Sequence, residues 1–325
     1  MGNYLVTGAA GFIASRVSQL LLEGGHTVTG IDNLCDAYDV RLKHYRLANL
    51  QKNPGFSFHS VDISKRESLE PVVAGCAKFD AVINLAARAG VRASVEDPWS
   101  FVDTNLTGTL NLLELSKRLA IPKFILASTS SIYGNDAPIP TPETASSDHP
   151  LQPYSASKKG AEAMCYAYHF LDGIDVTIFR YFTVYGPAGR PDMVMFRFTQ
   201  WIKEGRTVHL NGDGNQSRGF TYLDDIARGT ILGLKPVGYE IINLGGHEVI
   251  TINAMISRLE ELLGEKAHVE RHTAHKADML TNQADISKAR SLLGWEPRVS
   301  LQEGMGNLVD WYLRERSWAR DVITD

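Results

Sequence analysis

Residues 7 to 14 read Thr-Gly-Ala-Ala-Gly-Phe-Ile-Ala, set between a short β-branched run, Tyr4 to Thr7, and a stretch with apolar residues at three- and four-residue spacing, Ile13 to Leu22. Glycines at such a junction permit a tight turn and let backbone N–H groups approach a pyrophosphate at the start of a helix. In isolation the pattern is equally well a strand-to-helix turn that merely needs glycine. A second apolar run, Thr27 to Ile31, ends at Asp32, roughly 20 residues on, where a carboxylate can accept both hydroxyls of an adenosine ribose. The expected ligand is therefore NAD rather than NADP: a 2'-phosphate would be repelled by Asp32, and Asn33 and Leu34 bring no arginine to offset it. Gly8, Gly11, Phe12, Ile13, Asp32 and Asn33 are the first candidate contacts. Asp62, with Ile63, follows the third run and reads either as an adenine contact or as an ordinary helix cap.

The same alternation continues with Phe56 to Val61, Ala81 to Leu85, Phe124 to Ala127 and Val176 to Phe179, separated by helical patterns such as Leu106 to Leu119. Short β-branched runs alternating with longer amphipathic segments specify βαβ units, hence an α/β protein with a Rossmann-type doubly wound parallel sheet. After Tyr181 the texture changes to Gly- and Pro-containing turns and separated helices, which predicts a smaller mixed α/β lobe. The expected division is a nucleotide-binding domain over 1–180, with 236–265 packing back onto it, and a substrate lobe made of 181–235 and 266–325.

Composition removes several classes of function. The 33 Lys+Arg against 37 Asp+Glu give a net charge of -4, which offers no basic field for nucleic acid. Cys35, Cys76 and Cys165 form no CxxC pair, and histidines do not cluster at metal spacing, so neither a disulfide framework nor a metal site is expected, and a reducing cytoplasm fits best. The N-terminus lacks the features of a signal peptide, and no segment approaches the roughly 20 apolar residues that a membrane span needs.

Tyr154 and Lys158 stand four apart in a segment, Tyr154 to Phe170, that reads as a helix, so both side chains lie on one face. A phenol is a poor base at neutral pH, but a neighbouring ammonium and a positively charged nicotinamide both favour phenolate. Tyr154 can then take a proton from a substrate hydroxyl whose carbon gives up hydride. Thr129, at the end of the fifth run, can hydrogen-bond the same oxygen. Taken singly, a Tyr/Lys pair is more often a surface feature and a strand-end Thr a turn residue. The joint order of glycine-rich turn, acidic second strand, hydroxyl-rich fifth strand end and YxxxK helix is what points to chemistry.

These blocks resemble the extended short-chain dehydrogenase/reductase family: TGAAGFIAS at 7 to 15, Ala81 to Ala87, Asn105 within DTNLTGT, Ser128 to Gly134 and Tyr154 to Lys158. Within it the chain looks most like the UDP-glucuronate 4-epimerases, through DNLCDAYDVRLK at 32 to 43, AARAGVRASVEDP at 86 to 98 and, most specifically, RYFTVYGPAGRPDM at 180 to 193. The resemblance implies that Thr129, Tyr154 and Lys158 are catalytic with Ser128 close by, that Leu85, Ala86 and Ala87 line the cofactor, and that Tyr181 and Asn105 shape the nicotinamide or substrate pocket. Family dehydratases and decarboxylases carry a carboxylate two residues before the Tyr-Gly pair; here that place is Ser131, which favours oxidation and return over elimination. The chain departs from the pattern at Ala14 for glycine, Arg88 for glutamine, Ala37 for an aromatic and Ala277 for glycine.

The expected reaction is therefore oxidation of a UDP-hexuronate at C4 and reduction on the opposite face, with NAD staying bound. A 4-keto uronate is a β-keto acid that loses CO2 when its carboxylate bond lies parallel to the carbonyl π system. Arg190 and Thr183 are the candidates for holding that carboxylate, with a loop-ordering salt bridge as the other reading of Arg190. Resemblance places Arg218 at the diphosphate and Asp278 toward the ribose or base; Arg88 and Arg92 are weaker substrate candidates. A UDP-glucose or UDP-N-acetylhexosamine 4-epimerase is the first alternative and a non-catalytic dinucleotide sensor the second. The resemblance further implies a homodimer joined through Leu106 to Leu119 and Tyr154 to Phe170, although these helices can equally be buried within one subunit.

Overall fold

A computed structural model describes residues 1–74, 78–246, 248–273 and 282–324. The order is β1 (Asn3–Thr7), α1 (Phe12–Glu23), β2 (Thr27–Asp32), α2 (Arg41–Leu50), β3 (Phe56–Ser60), α3 (Glu70–Val73), β4 (Ala81–Asn84), α4 (Ala93–Glu96), α5 (Pro98–Phe101), α6 (Gly108–Arg118), β5 (Lys123–Thr129), α7 (Pro153–Asp172), β6 (Asp175–Tyr181), β7 (Thr183–Tyr185) and α8 (Val194–Lys203). It continues with β8 (Thr207–Asn211), β9 (Ser217–Tyr222), α9 (Leu223–Leu232), β10 (Tyr239–Leu244), β11 (Glu248–Thr251), α10 (Ile252–Leu263), β12 (His268–His272), α11 (Ser287–Leu293) and α12 (Leu301–Ala319).

Seven strands in the order β10-β6-β5-β4-β1-β2-β3 make one sheet, and every pair in it is parallel. Parallel strands need crossovers, and these cover both faces, which is why β4 and β5 are buried along their whole length. Val17 and Leu21 of α1, Ile226 of α9 and Leu293 of α11 pack on one face; Leu112 and Leu113 of α6 and Ala161 and Cys165 of α7 pack on the other. The doubly wound α/β sheet is the architecture read from the sequence. Its strand order reverses between β1 and β4, so a crevice opens at their carboxyl ends, beside the paired residues Thr7 and Asn84.

The second lobe holds β11-β9-β7 and the ribbon β12-β8, with a core that joins Phe196 and Trp201 of α8, Met255 and Leu259 of α10, and Leu308, Trp311 and Tyr312 of α12. Within 236–265, β10 extends the large sheet beside β6, whereas α10 packs into the second core. Helix α7 positions the chemistry: Pro153 occupies its first turn, where a missing N–H is no loss, and Gly173 ends it in the left-handed conformation.

Candidate active site

The crevice is built around Gly8. Its φ of +68° is left-handed, and an added Cβ would lie 2.8 Å from both the N and the Cα of Ala86, so only glycine fits between β1 and the loop after β4. Gly11 donates its N–H to Gly8 O at 2.7 Å and starts α1 with no side-chain cap and no acid in the first turn, leaving the positive end of the helix for an anion. The same cavity is lined by Asp32, Asn33, Asp62, Ile63, Leu85, Ala86 and Ala87. These residues fit a dinucleotide: a glycine-only approach for the pyrophosphate and a carboxylate at the end of β2 for the ribose. Phe12 and Ile13 lie behind the turn, against the core between α1 and the sheet.

Asp32 accepts from the N–H groups of Ala10 (3.2 Å) and Leu34 (2.8 Å), and Lys43 Nζ lies 3.5 Å from it. Lys43 is 5% exposed and also donates to Cys35 Sγ. Asp62 accepts from Ser64 N and Oγ and from Asn33 Nδ2; burial raises its pKa, but these hydrogen bonds prevail and hold it below the ordinary carboxylate range. Asp62 is thus both a local turn-former and a wall of the cavity.

Sequence reasoning missed Lys43 and Arg46, both on α2. Arg46 is 4% exposed and donates to Ala10 O in the glycine-rich turn and to Ala188 O and Gly189 O beside Arg190, tying the two loops together. The signal was available: Leu42, Arg46, Leu47 and Leu50 form one helical stripe, and a charge inside such a stripe needs a buried partner.

Asn105, fully buried in a π-helical turn over Val102–Thr107, accepts from Arg88 N and donates to Arg88 O and Ser157 Oγ. Through these bonds it holds the backbone of Arg88 at the edge of the cradle. Arg88 itself lines the cradle, and its guanidinium meets Ser100 Oγ at 3.3 Å and Cys35 Sγ at 3.8 Å.

Tyr154 and Lys158 share one face of α7, and the Tyr154 hydroxyl is hydrogen-bonded to Thr129 at the end of β5. Ser131 closes the same turn, its N–H and Oγ meeting Thr129 Oγ1 at 3.2 Å, so an acid at position 131 would stand beside the reacting hydroxyls. Burial raises the Tyr154 pKa, opposed by the Thr129 hydrogen bond and the positive charge of Arg190. Burial likewise lowers Lys158 to about 8, against the opposing influence of Cys165 and Glu162, while its Nζ donates to Ala127 O.

Two expected pocket residues face elsewhere. Ser128 donates to Glu162 Oε1 at 2.6 Å, and Glu162 is held by Arg180 at 2.7 and 3.0 Å, all three buried. Tyr181 bonds Thr230 of α9 at 2.7 Å and stacks on Phe179. Alternation along a strand explains both: adjacent residues point to opposite faces of the sheet, so Arg180 meets α7 and Tyr181 meets α9.

Arg190 makes a forked pair with Asp192 (3.0 and 2.5 Å) and donates to Ala89 O, while its charge acts on the hydroxyls of Tyr38 and Tyr154. Thr183 lines a small cavity with Phe12, Arg190 and Met193. Arg218 is half-buried on β9 in the second lobe and donates to Ser217 O; Arg92 is exposed before α4. Asp278 and Ala277 lie outside the described residues.

Known proteins are similar to the chain over nearly its whole length. The chain is 56% identical to a UDP-glucuronate 4-epimerase of Thermodesulfobacterium geofontis over 96% of each chain, and 37% identical to a probable UDP-glucuronate 4-epimerase of Rhizobium meliloti over 95% of this chain and 96% of that one. A Bacillus cereus UDP-glucuronic acid 4-epimerase, solved as a tyrosine-to-phenylalanine mutant with UDP-4-deoxy-4-fluoro-glucuronic acid and NAD, superposes with a TM-score of 0.88 at 37% identity, over 96% of this chain and 99% of that one. The UDP-glucose 4-epimerase of Thermotoga maritima, solved with UDP-glucose, gives 0.89 at 33% identity, over 97% and 99%, so the backbone alone does not separate acidic from neutral sugars. Because the matching sequence profile runs over residues 4–245, and so takes in both the glycine cradle and the Tyr154–Lys158 helix, the chain belongs to the NAD-dependent epimerase/dehydratase family.

Proposed function

We propose that the protein interconverts UDP-glucuronate and UDP-galacturonate by epimerisation at C4. The observation that carries this reading is the position of Arg190, whose charge acts on the Tyr154 hydroxyl; its fork, which pairs with Asp192 within the chain, is the group we assign to the sugar's carboxylate. C4 and the C6 carboxylate are near neighbours on a hexuronate, so a cation beside the residue that deprotonates the 4-hydroxyl meets the acid group of the same sugar.

Bound NAD supplies the hydride acceptor and the returning hydride. Tyr154 takes the proton of the 4-hydroxyl and gives it back after the 4-keto sugar has turned, and Thr129 orients that oxygen. Lys158, kept cationic below about 8, favours the phenolate form of Tyr154. Arg190 and Thr183 fix the carboxylate plane and so suppress loss of CO2, while Ser131 leaves no acid for elimination. Arg218 and Asp278 are assigned to the UDP moiety. We assign the cradle of Gly8, Gly11, Asp32, Asn33, Asp62 and Leu85 to Ala87 to the dinucleotide.

We further propose that the protein is a cytoplasmic homodimer. Tyr166, Phe170 and Leu171 at the end of α7 are 54%, 73% and 75% exposed, an apolar surface that a second copy would cover. Cys35 and Cys165 are free thiols, which supports a reducing setting; among the described residues no helix is long and apolar enough to cross a membrane.

The test is incubation of purified protein, without added NAD, with UDP-glucuronate and separately with UDP-glucose, followed by NMR of the sugar protons. Conversion of the uronate to its galacto epimer is the expected result. Turnover of UDP-glucose alone moves the assignment to a neutral-sugar epimerase, and a UDP-pentose product shows that decarboxylation is not suppressed.

A further inference from the structure

Strands β8 and β12 bring together side chains that are far apart in the chain. The ribbon is parallel, with His209 opposite Glu270 and Asn211 opposite His272. Side chains alternate along a strand, so Glu270 and His272 share a face, and His209 stands across from it on the neighbouring strand. His209 Nδ1 is 2.9 Å from His272 Nε2, and the two oxygens of the Glu270 carboxylate face one ring each, Oε2 at 3.9 Å from the first nitrogen and Oε1 at 3.7 Å from the second. One ligand atom from each residue falls within 4.8 Å of the other two. The ring of the buried Trp201 stands nearly perpendicular to that of His209, their centroids 5.8 Å apart.

A hydrogen bond between the two imidazoles accounts for their mutual approach but not for the carboxylate, which stands beyond hydrogen-bond distance of both rings. A cation among the three accounts for all of them. Ligand atoms on a tetrahedral ion with bonds of about 2.0–2.1 Å are roughly 3.3 Å apart, and the three separations bracket that value. Two imidazoles and one carboxylate suit a borderline divalent ion such as zinc or cobalt rather than magnesium or calcium, which prefer an all-oxygen shell. We infer that His209, Glu270 and His272 form a divalent transition-metal site of the zinc class that fastens β8 to β12 and leaves a coordination position open to water. The sequence conceals it, because the two histidines lie 63 residues apart and no short motif links them.

The experiment uses full-length protein with its purification tag removed. Cobalt(II) is titrated in and visible absorption recorded; the expected result is a band of low-symmetry N/O coordination that saturates at one equivalent, is displaced by zinc(II), and accompanies a zinc-dependent rise in Tm. All three ligands are exposed, so His209→Ala and His272→Ala are expected to fold, and circular dichroism checks this. Both variants are expected to lose the band and the Tm rise. Absence of stoichiometric binding in the unmodified protein overturns the proposal, as does equal binding by the folded variants.

Discussion

At the residue scale, Arg190 combines two properties that substitution can separate. Its charge lowers the Tyr154 pKa against the larger effect of burial, and its fork can fix a carboxylate plane. Removing a cation beside a phenol disfavours phenolate, so Arg190→Gln raises the Tyr154 pKa and moves the rising limb of the pH–kcat profile to higher pH. It also releases the keto acid from its clamp, so UDP-pentose accumulates beside the epimer. Arg190→Lys retains the charge without the fork: the limb stays near its original place while the pentose still forms. An Arg190→Gln enzyme with an unmoved limb and no pentose would remove Arg190 from the mechanism. Arg88 carries a second residue-scale prediction, because it reaches from the loop after β4 to Cys35 after β2, the loops that flank the cradle. Arg88→Gln loses that bridge, so the purified variant carries less NAD per chain, measured by releasing and quantifying the nucleotide. Full occupancy in the variant shows instead that Arg88 plays no part in retention.

At the scale of the element, α7 supports both the reacting groups and the buried pair beneath them. Glu162 lies one turn after Lys158 and is held by Arg180, each 2% exposed. Glu162→Gln leaves a buried guanidinium without its counter-ion, a loss of about 3–5 kcal/mol, read as a lower denaturant midpoint at unchanged slope. Replacing both partners, Glu162→Leu with Arg180→Met, restores most of it; if the single change leaves the midpoint unmoved, the pair has no structural role. The same change removes an anion that raises Lys158, so the Lys158 pKa falls below about 8 and the alkaline limb of kcat/KM moves to lower pH. The linked stability has the opposite sense. A lysine lowered from 10.5 to about 8 binds its proton more weakly folded than unfolded, so its burial is a penalty below about 8 that is relieved as pH rises through that window. Such effects also show where the sequence is legible. Local punctuation placed the strands, the glycine cradle and the Tyr154–Lys158 face, since each rests on a short-range rule. The facing of Ser128 and Tyr181 was hidden because a doubly wound sheet buries both sides, so β5 and β6 carry no polar alternation to mark which side an atom serves. Arg46 announced burial by its place in the stripe of α2, but not its partners, which come from loops distant in sequence.

For the whole molecule, the question is what covers the outer side of α7. Its inner side is accounted for, with Ala161 and Cys165 packed in one core with α6 and the sheet. Yet Phe170 and Leu171 are 73% and 75% exposed, and near the other end of the helix Val95 and Trp99 are 65% and 77% exposed. A single exposed apolar side chain needs no explanation, but a helix apolar on two sides is built to be covered on both. A two-fold partner presenting the same surface supplies the cover without any new sequence, because residues that meet across the axis are copies of one another. Light scattering on a sizing column is therefore expected to give twice 35.9 kDa for the unmodified protein. Phe170→Glu combined with Leu171→Glu places like charges face to face and is expected to give 35.9 kDa with an unchanged circular dichroism spectrum, since neither side chain is buried in the subunit. An unmodified protein that elutes at 35.9 kDa at every concentration rules the dimer out. A dimer that survives the double change places its interface on another surface.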